Sequence, residues 1–323
     1  MKRIDIEILS ATDVGLVREQ NEDNCGTAET PNGMVCVVCD GMGGHTGGQE
    51  ASRIAVDCII QHLSGEKYAD ICQAIRDAME FANMQILGTA TEHPELQGMG
   101  TTACVLLIQD EQVWIAHVGD SRIYLYVAKE KRLHRLTKDH SFVQGLVDQE
   151  IIYPEEADNH PDRNRLIKAL GIKEEPNPEI PENPILPAKG DIFLICSDGL
   201  SGMVSDSQIE VILADSKTDM QQKEAVLMSA AKSAGGTDNI TFQLIRIIHS
   251  PHRKSVFVSK SQPTAAKTDT HKQQWLKLAI LAAIITASIL AGILIGRNIF
   301  QHPDNSGIPK PDTIPDQQDS TNN

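Results

Sequence analysis

A chain of 323 residues with 41% apolar and 23% charged side chains has enough hydrocarbon for a core, which excludes a wholly disordered protein. A formal net charge of −15, with 4% aromatic residues and no basic stripe among them, excludes a reader of phosphate backbones, so no nucleic-acid partner is expected. The surplus of carboxylates leaves two readings: a solvated acidic surface, or a cluster that holds hard divalent cations.

In chain order, the first residues Met1–Glu7 alternate charge with hydrocarbon and lack the continuous apolar core of a signal peptide. Alternating or β-branched runs predict strands over 4–10, 34–39, 102–108, 113–118, 123–127, 191–196 and 240–247. Helical periodicity predicts helices over 49–63, 69–88, 142–149, 205–214 and 220–234, with Ser205 and Ser207 where an N-cap belongs. The strands between 102 and 127 are joined by tight turns and predict an antiparallel meander. Strands paired mainly with strands, with long helices between the groups, predict an α+β layered domain over residues 1–247. Cys36 and Cys39 form a C-x-x-C inside a strand, where residues three apart point to opposite faces. They read as buried strand residues rather than a zinc or redox pair, and the seven cysteines as those of a reducing compartment.

Beyond 247 the composition changes. Residues 248–274 are polar and predict a linker. Leu278–Ile295 carries no charge, and with Trp275, Lys277 and Arg297 as interfacial anchors it predicts a transmembrane helix over 275–296. Lys260, Lys267, Lys272 and Lys277 precede it, against Arg297 and Lys310 after it. The positive-inside bias therefore predicts a single pass through the cytoplasmic membrane, the large domain in the cytoplasm and a short disordered tail, 297–323, outside. Gly292 and Gly296 are spaced for close helix–helix packing, a weak dimer signal in so Ala- and Gly-rich a segment.

Several predicted strands end in an acidic residue beside glycine: Asp40-Gly41, Gly119-Asp120 and Asp198-Gly199. Asn21-Glu22-Asp23 follows the first strand and Asp238-Asn239 precedes the last. Each alone is an ordinary turn. Together they can deliver carboxylates to one pocket, and crowded carboxylates need a cation. The donors are oxygen, suited to Mg²⁺ or Mn²⁺ rather than zinc. Two such cations can acidify a shared water for in-line attack on phosphorus. Arg18, five residues before Asp23, is placed to grip a phosphate bidentately.

Seven stretches in order resemble the metal-dependent protein phosphatases of type 2C in their bacterial form, over residues 8–247: Asp13 to Asp23, Cys39 to His45, Met99 to Thr102, Val118 to Arg122, Leu136 to Ser141, Cys196 to Leu200 and Gly236 to Ile240. The resemblance implies a four-layer α-β-β-α sandwich of two antiparallel sheets flanked by helices. It implies hydrolysis of phosphoserine and phosphothreonine in proteins by a water or hydroxide bridging two divalent metals, opposite a serine/threonine kinase. It further implies that Asp40 bridges the two metals, with the Gly41 carbonyl, Asp198 and Asp238 in their shells. Glu22 and Asp23 match the acidic pair near the second metal, and which of them ligates stays open. Asp120 matches a third-metal residue, Arg18 the phosphate-binding arginine, and Asn239 a residue that orients its neighbours. The implied cofactors are two to three Mn²⁺ or Mg²⁺ ions.

Animal members carry a histidine where this chain has Met42, and a thioether cannot donate a proton. A metal-bound water, His45 and His140 are the candidates for the general acid, His140 reading more readily as structural. The segment from Gly145 to Arg165 corresponds to a mobile flap, where Arg163 and Arg165 either meet a phosphopeptide or pair with local acids. The competing functions are a membrane-anchored pseudophosphatase, which loss of a metal carboxylate would mark, and a hydrolase of small phosphate esters. No G-x-x-x-x-G-K-[ST] loop argues for a nucleotide.

Overall fold

The computed structural model describes residues 4–44, 46–157 and 160–257. Among the described residues ten strands form two antiparallel sheets. The first sheet contains β1 (Asp5–Asp13), β10 (Ile240–His249), β9 (Ile192–Cys196), β7 (Arg122–Val127) and β8 (Arg132–Arg135), in that order. The second runs β2 (Asp23–Thr30), β3 (Gly33–Met42), β5 (Ala103–Gln109), β6 (Gln112–Val118), with the two-residue β4 (Gly100–Thr101) on the end of β3. Helices α1 (Gly47–Gly65) and α2 (Ile71–Glu92) follow β3; α3 (Phe142–Asp148) and α4 (Pro154–Ala157) follow β8; α5 (Asp198–Ser201), α6 (Asp206–Ala214) and α7 (Met220–Ser233) lie between β9 and β10.

Period-two alternation sorts each strand's side chains between two cores. Cys36 and Val38 of β3 face inward with Leu106, Leu125, Phe193, Ile195 and Ile245, filling the space between the sheets. Val35, Val37 and Cys39 face the other way, onto Ile59, Ile75 and Met79 of α1 and α2. Tyr124, Leu194, Phe242 and Leu244 cover the opposite outer face under Ile209 and Leu227 of α6 and α7. The result is the expected α-β-β-α sandwich. Cys36 and Cys39 lie on opposite faces and all seven cysteines are free thiols. Ser205 caps α6 in a reciprocal box with Gln208, as its position predicted.

Three expectations need correction. The run from 102 to 127 is not one meander: β5 and β6 pair in the second sheet, whereas β7 pairs with β9 and β8 in the first. The chain changes sheets at Gly119, whose φ of +99° redirects it. Three strands were not foreseen, β2, β8 and the two-residue β4. The domain also does not end at 247. β10 reaches His249, Ser250 Oγ donates to the Pro187 carbonyl (2.6 Å), Val256 bridges Leu186, and Ser255 Oγ donates to Asp191. The first part of the expected linker is thus packed on the domain. Among the described residues no helix is long and apolar enough to cross a membrane. The remainder of the linker, the expected transmembrane helix 275–296 and the tail 297–323 lie outside the described residues.

Candidate active site

At one end of the sandwich, strands of both sheets deliver acidic residues to a cavity of about 460 Å³. Arg18, Glu22, Asp40, Gly41, Asp120, Asp198 and Asp238 all line it. Antiparallel register sets Asp23 directly opposite Asp40 on β2 and β3. Across the sheets, Ser197 Oγ donates to the Asp23 carboxylate (2.8 Å), tying the end of β9 to β2. Asp23 is buried and does not line the cavity, whereas Glu22 does. The pair left open by the sequence is thereby divided into one residue at the surface of the cavity and one behind it.

Backbone contacts hold these positions. The Asp40 amide donates to Thr102 Oγ1 and the Thr102 amide donates to the Asp40 carbonyl, both at 2.9 Å. Thr102 Oγ1 also lies 2.6 Å from Ser121 Oγ, beside Asp120. A side chain at Gly41 would place its Cβ 2.0 Å from the Gly48 carbonyl oxygen and 2.5 Å from that of Glu22, so only glycine permits β3, α1 and the Glu22 loop to meet here. Asn239 spends its whole amide on the Arg18 loop: Nδ2 donates to the carbonyls of Val14 and Gln20, and Oδ1 accepts from the Glu22 amide (2.8 Å). The Thr102, Ser121 and Ser197 hydroxyls were not singled out from the sequence, since no spacing marks a side chain that braces a backbone.

The electrostatics follow from crowding. Burial raises Asp40 well above the ordinary carboxylate range, with the charges of Asp23, Asp198, Asp120 and Asp238 adding to it. Burial and the neighbouring Asp198 also raise Asp120. Asp198 is pushed up to about 6 by burial and by Asp238, against the help of a hydrogen bond from Asp40. Asp23 is pushed up to about 7, chiefly by burial. Arg18 answers part of this charge, its Nη2 donating to Asp238 Oδ2 at 2.8 Å while half its side chain faces solvent. Next to the cavity, burial is outweighed for Asp139 by the guanidinium groups of Arg122 and Arg135, which hold it below its usual value.

The remaining sequence candidates fall elsewhere. Met42 lines the cavity, and among the described residues no histidine does. His45 lies outside the described residues. His140 is buried and turned toward Gly119 and Glu179. In the segment from Gly145 to Arg165, the Arg165 guanidinium lies 5.0 Å from the centre of the Phe142 ring; Asn164 of this stretch and Leu166 just beyond it line the cavity.

Residues 17–233 match the family model for protein phosphatase 2C. The chain is 39% identical over 239 residues to a serine/threonine phosphatase, stp, of Listeria welshimeri, a match covering 72% of this chain and 93% of that one. It is 36% identical over 246 residues to protein phosphatase PhpP of Streptococcus pneumoniae, covering 74% and 97%. A solved structure of the PstP catalytic domain in complex with two manganese ions superposes with a TM-score of 0.65 at 32% identity, covering 75% of this chain and 98% of that one. The chain belongs to the protein phosphatase 2C family.

One consequence of the crowding is measurable without substrate. Unfolded, Asp23 and Asp198 lose their protons near 3.8; folded and metal-free, they hold them to about 7 and about 6. The folded chain thus binds more protons than the unfolded chain in this interval, and stability falls as pH rises through it. In EDTA the melting temperature should drop between pH 5.5 and 8, and saturating Mn²⁺ should remove most of that drop. A metal-free melting temperature that rises over this range would contradict the described electrostatics.

Proposed function

We propose that the chain hydrolyses phosphoserine and phosphothreonine monoesters in proteins, using Mn²⁺ or Mg²⁺ held by the carboxylates of the cavity. The observation that carries this reading is the convergence of Glu22, Asp40, Asp120, Asp198 and Asp238 on one cavity with Arg18 beside them. The donor set fits such cations: it is all oxygen, and burial together with neighbouring carboxylates raises the carboxyl groups of Asp40, Asp120 and Asp198, a cost that a cation would relieve. Asp40 would hold two cations, completed by Gly41, Asp198, Asp238 and Glu22, with Asp120 serving a third. When bound, these ions supply Lewis acidity that brings the pKa of water toward neutrality.

The protein's own residues do the rest. Arg18, whose Nη2 donates to Asp238, would grip the phosphoryl oxygens with its planar fork. In this reading water attacks phosphorus directly, without a covalent phosphoenzyme, while the Thr102 hydroxyl braces the Asp40 amide and Ser121. Met42 cannot protonate the departing alkoxide, which takes its proton from water. Every carboxylate of the set is present, which speaks against a pseudophosphatase.

The substrates are phosphorylated proteins, a serine/threonine kinase or its targets among them. The domain sits in the cytoplasm, tethered by one span over 275–296; the uncharged run Leu278–Ile295 and the lysines before it support this topology. Gly292 and Gly296 give the span a face for a weak dimer.

The full chain in detergent should hydrolyse a phosphothreonine peptide only with Mn²⁺ or Mg²⁺. Asp40→Asn should lower the rate by at least about a hundredfold while raising the melting temperature of the metal-free protein, because it removes a carboxyl whose ionisation the buried, crowded site opposes. Full activity in EDTA would refute the reading. For the topology, protease added to spheroplasts should leave the N-terminal domain intact; its digestion from outside would reverse the orientation.

A further inference from the structure

His140 lies outside the cavity, yet it binds both sides of it. Its amide donates to the Gly119 carbonyl (2.9 Å), and its Nδ1 accepts from the Gly119 amide (3.2 Å). Both polar groups of the glycine preceding Asp120 are therefore held by one residue. Gly119 has no latitude of its own: its φ is +99°, and a Cβ there would sit 2.5 Å from Thr102 Cγ2. Thr102 is in turn the acceptor of the Asp40 amide and the partner of Ser121. On its other side, the His140 carbonyl accepts from the Ile167 amide (2.8 Å), and Ser141 bridges Leu166. That returning segment brings Asn164 and Leu166 to the cavity.

The imidazole's protonation is set by its surroundings. Because Nδ1 accepts from an amide, the ring carries its proton on Nε2, which faces Glu179 Oε2 at 3.5 Å. The ring stacks on His117, centroids 4.6 Å apart, and His117 Nε2 donates to the Lys138 carbonyl (2.8 Å). His117, His140 and Glu179 bring their donor atoms within 4.8 Å of one another, a set that zinc would accept. A metal on His140 Nε2 would, however, require the neutral ring to give up its one N–H proton and become an imidazolate while Nδ1 still accepts from Gly119. The hydrogen bonding favours a fixed neutral imidazole over a ligand.

We propose that His140 is a positioning residue: through Nδ1 it fixes the Gly119–Asp120 turn, and through its carbonyl it couples that turn to the 142–167 segment, so that the Asp120 cation site depends on it. This rests on the proposed cation site at Asp120. Outer partners that orient a ligand change metal affinity by about 10- to 100-fold when removed.

The test exploits amide geometry. In His140→Asn, Oδ1 falls where Nδ1 was and can still accept from Gly119; in His140→Gln, the amide reaches toward Glu179 and leaves Gly119 without its acceptor. Mn²⁺ binding to the full chain in detergent is followed by calorimetry, with the melting temperature recorded in parallel. The Mn²⁺ site that is lost in Asp120→Asn should weaken by about tenfold or more in His140→Gln and by less than about threefold in His140→Asn. In an Asp120→Asn background, where that site is already lost, His140→Gln should have no further effect on Mn²⁺ binding. Equal weakening by Asn and Gln, or unchanged binding in a folded His140→Gln, would overturn the proposal. If the Gln side chain prevents folding, His140→Ser replaces it in the same comparison. Binding is read directly, so a wild type that binds Mn²⁺ but leaves phosphopeptides intact would defeat the catalytic reading and not this one.

Discussion

Like charges converging where water is scarce are the constraint around which this molecule is organised. Asp23, Asp40, Asp120 and Asp198 sit at the ends of strands from two different sheets, and burial together with mutual repulsion raises all four. Such a cluster costs stability in a metal-free chain and persists because the sandwich determines it: β2 and β3 align Asp23 with Asp40 through their register, and β9 ends one residue before the serine that bonds Asp23 from the other sheet. The inter-sheet core around Phe193 and Leu106 sets the separation of those sheets. Packing and site are therefore one construction, in which strands whose side chains fill the core carry the acidic residues at their ends.

The polar groups around the acids serve that placement. Thr102 engages Asp40 through its amide and its hydroxyl, Asn239 anchors the loop that carries Arg18 and Glu22, and Arg122 with Arg135 neutralises Asp139 beside Asp120. Buried hydrogen bonds of this kind contribute modestly to stability but are costly to leave unmade, so they specify geometry more than they add strength. His140 extends the same logic to the segment that closes one side of the cavity.

Much of this was legible from residue order. The acidic strand ends, the β-branched cores and the capped helix at Ser205 are local signals, and the family pattern joined them. What escaped was non-local. β2 reads Asp-Asn-Cys-Gly-Thr-Ala-Glu-Thr, a poor strand by composition; it forms because β3 offers a full ladder and because Gly26 lets α1 approach, a Cβ there lying 2.5 Å from Val56 Cγ1. β8 is four residues at a sheet edge, too short for periodicity to register. The passage of β7 into the other sheet is decided at Gly119, since tight turns in sequence do not say which sheet receives the next strand. Residues 250–257 read as linker by composition, yet Asp191 accepts from Ser255 and holds them to the domain. In the site, Glu22 and Asp23 were equivalent as letters; only the fold places one at the cavity and the other behind it.

Anomalous diffraction at the manganese edge, from crystals of the chain grown with Mn²⁺, addresses the central claim most directly. The account predicts at least two peaks in the cavity, both in contact with Asp40 and flanked by Asp198 and Asp238. A cavity without manganese density, in crystals whose Asp40 carboxylate is intact and accessible, would contradict it.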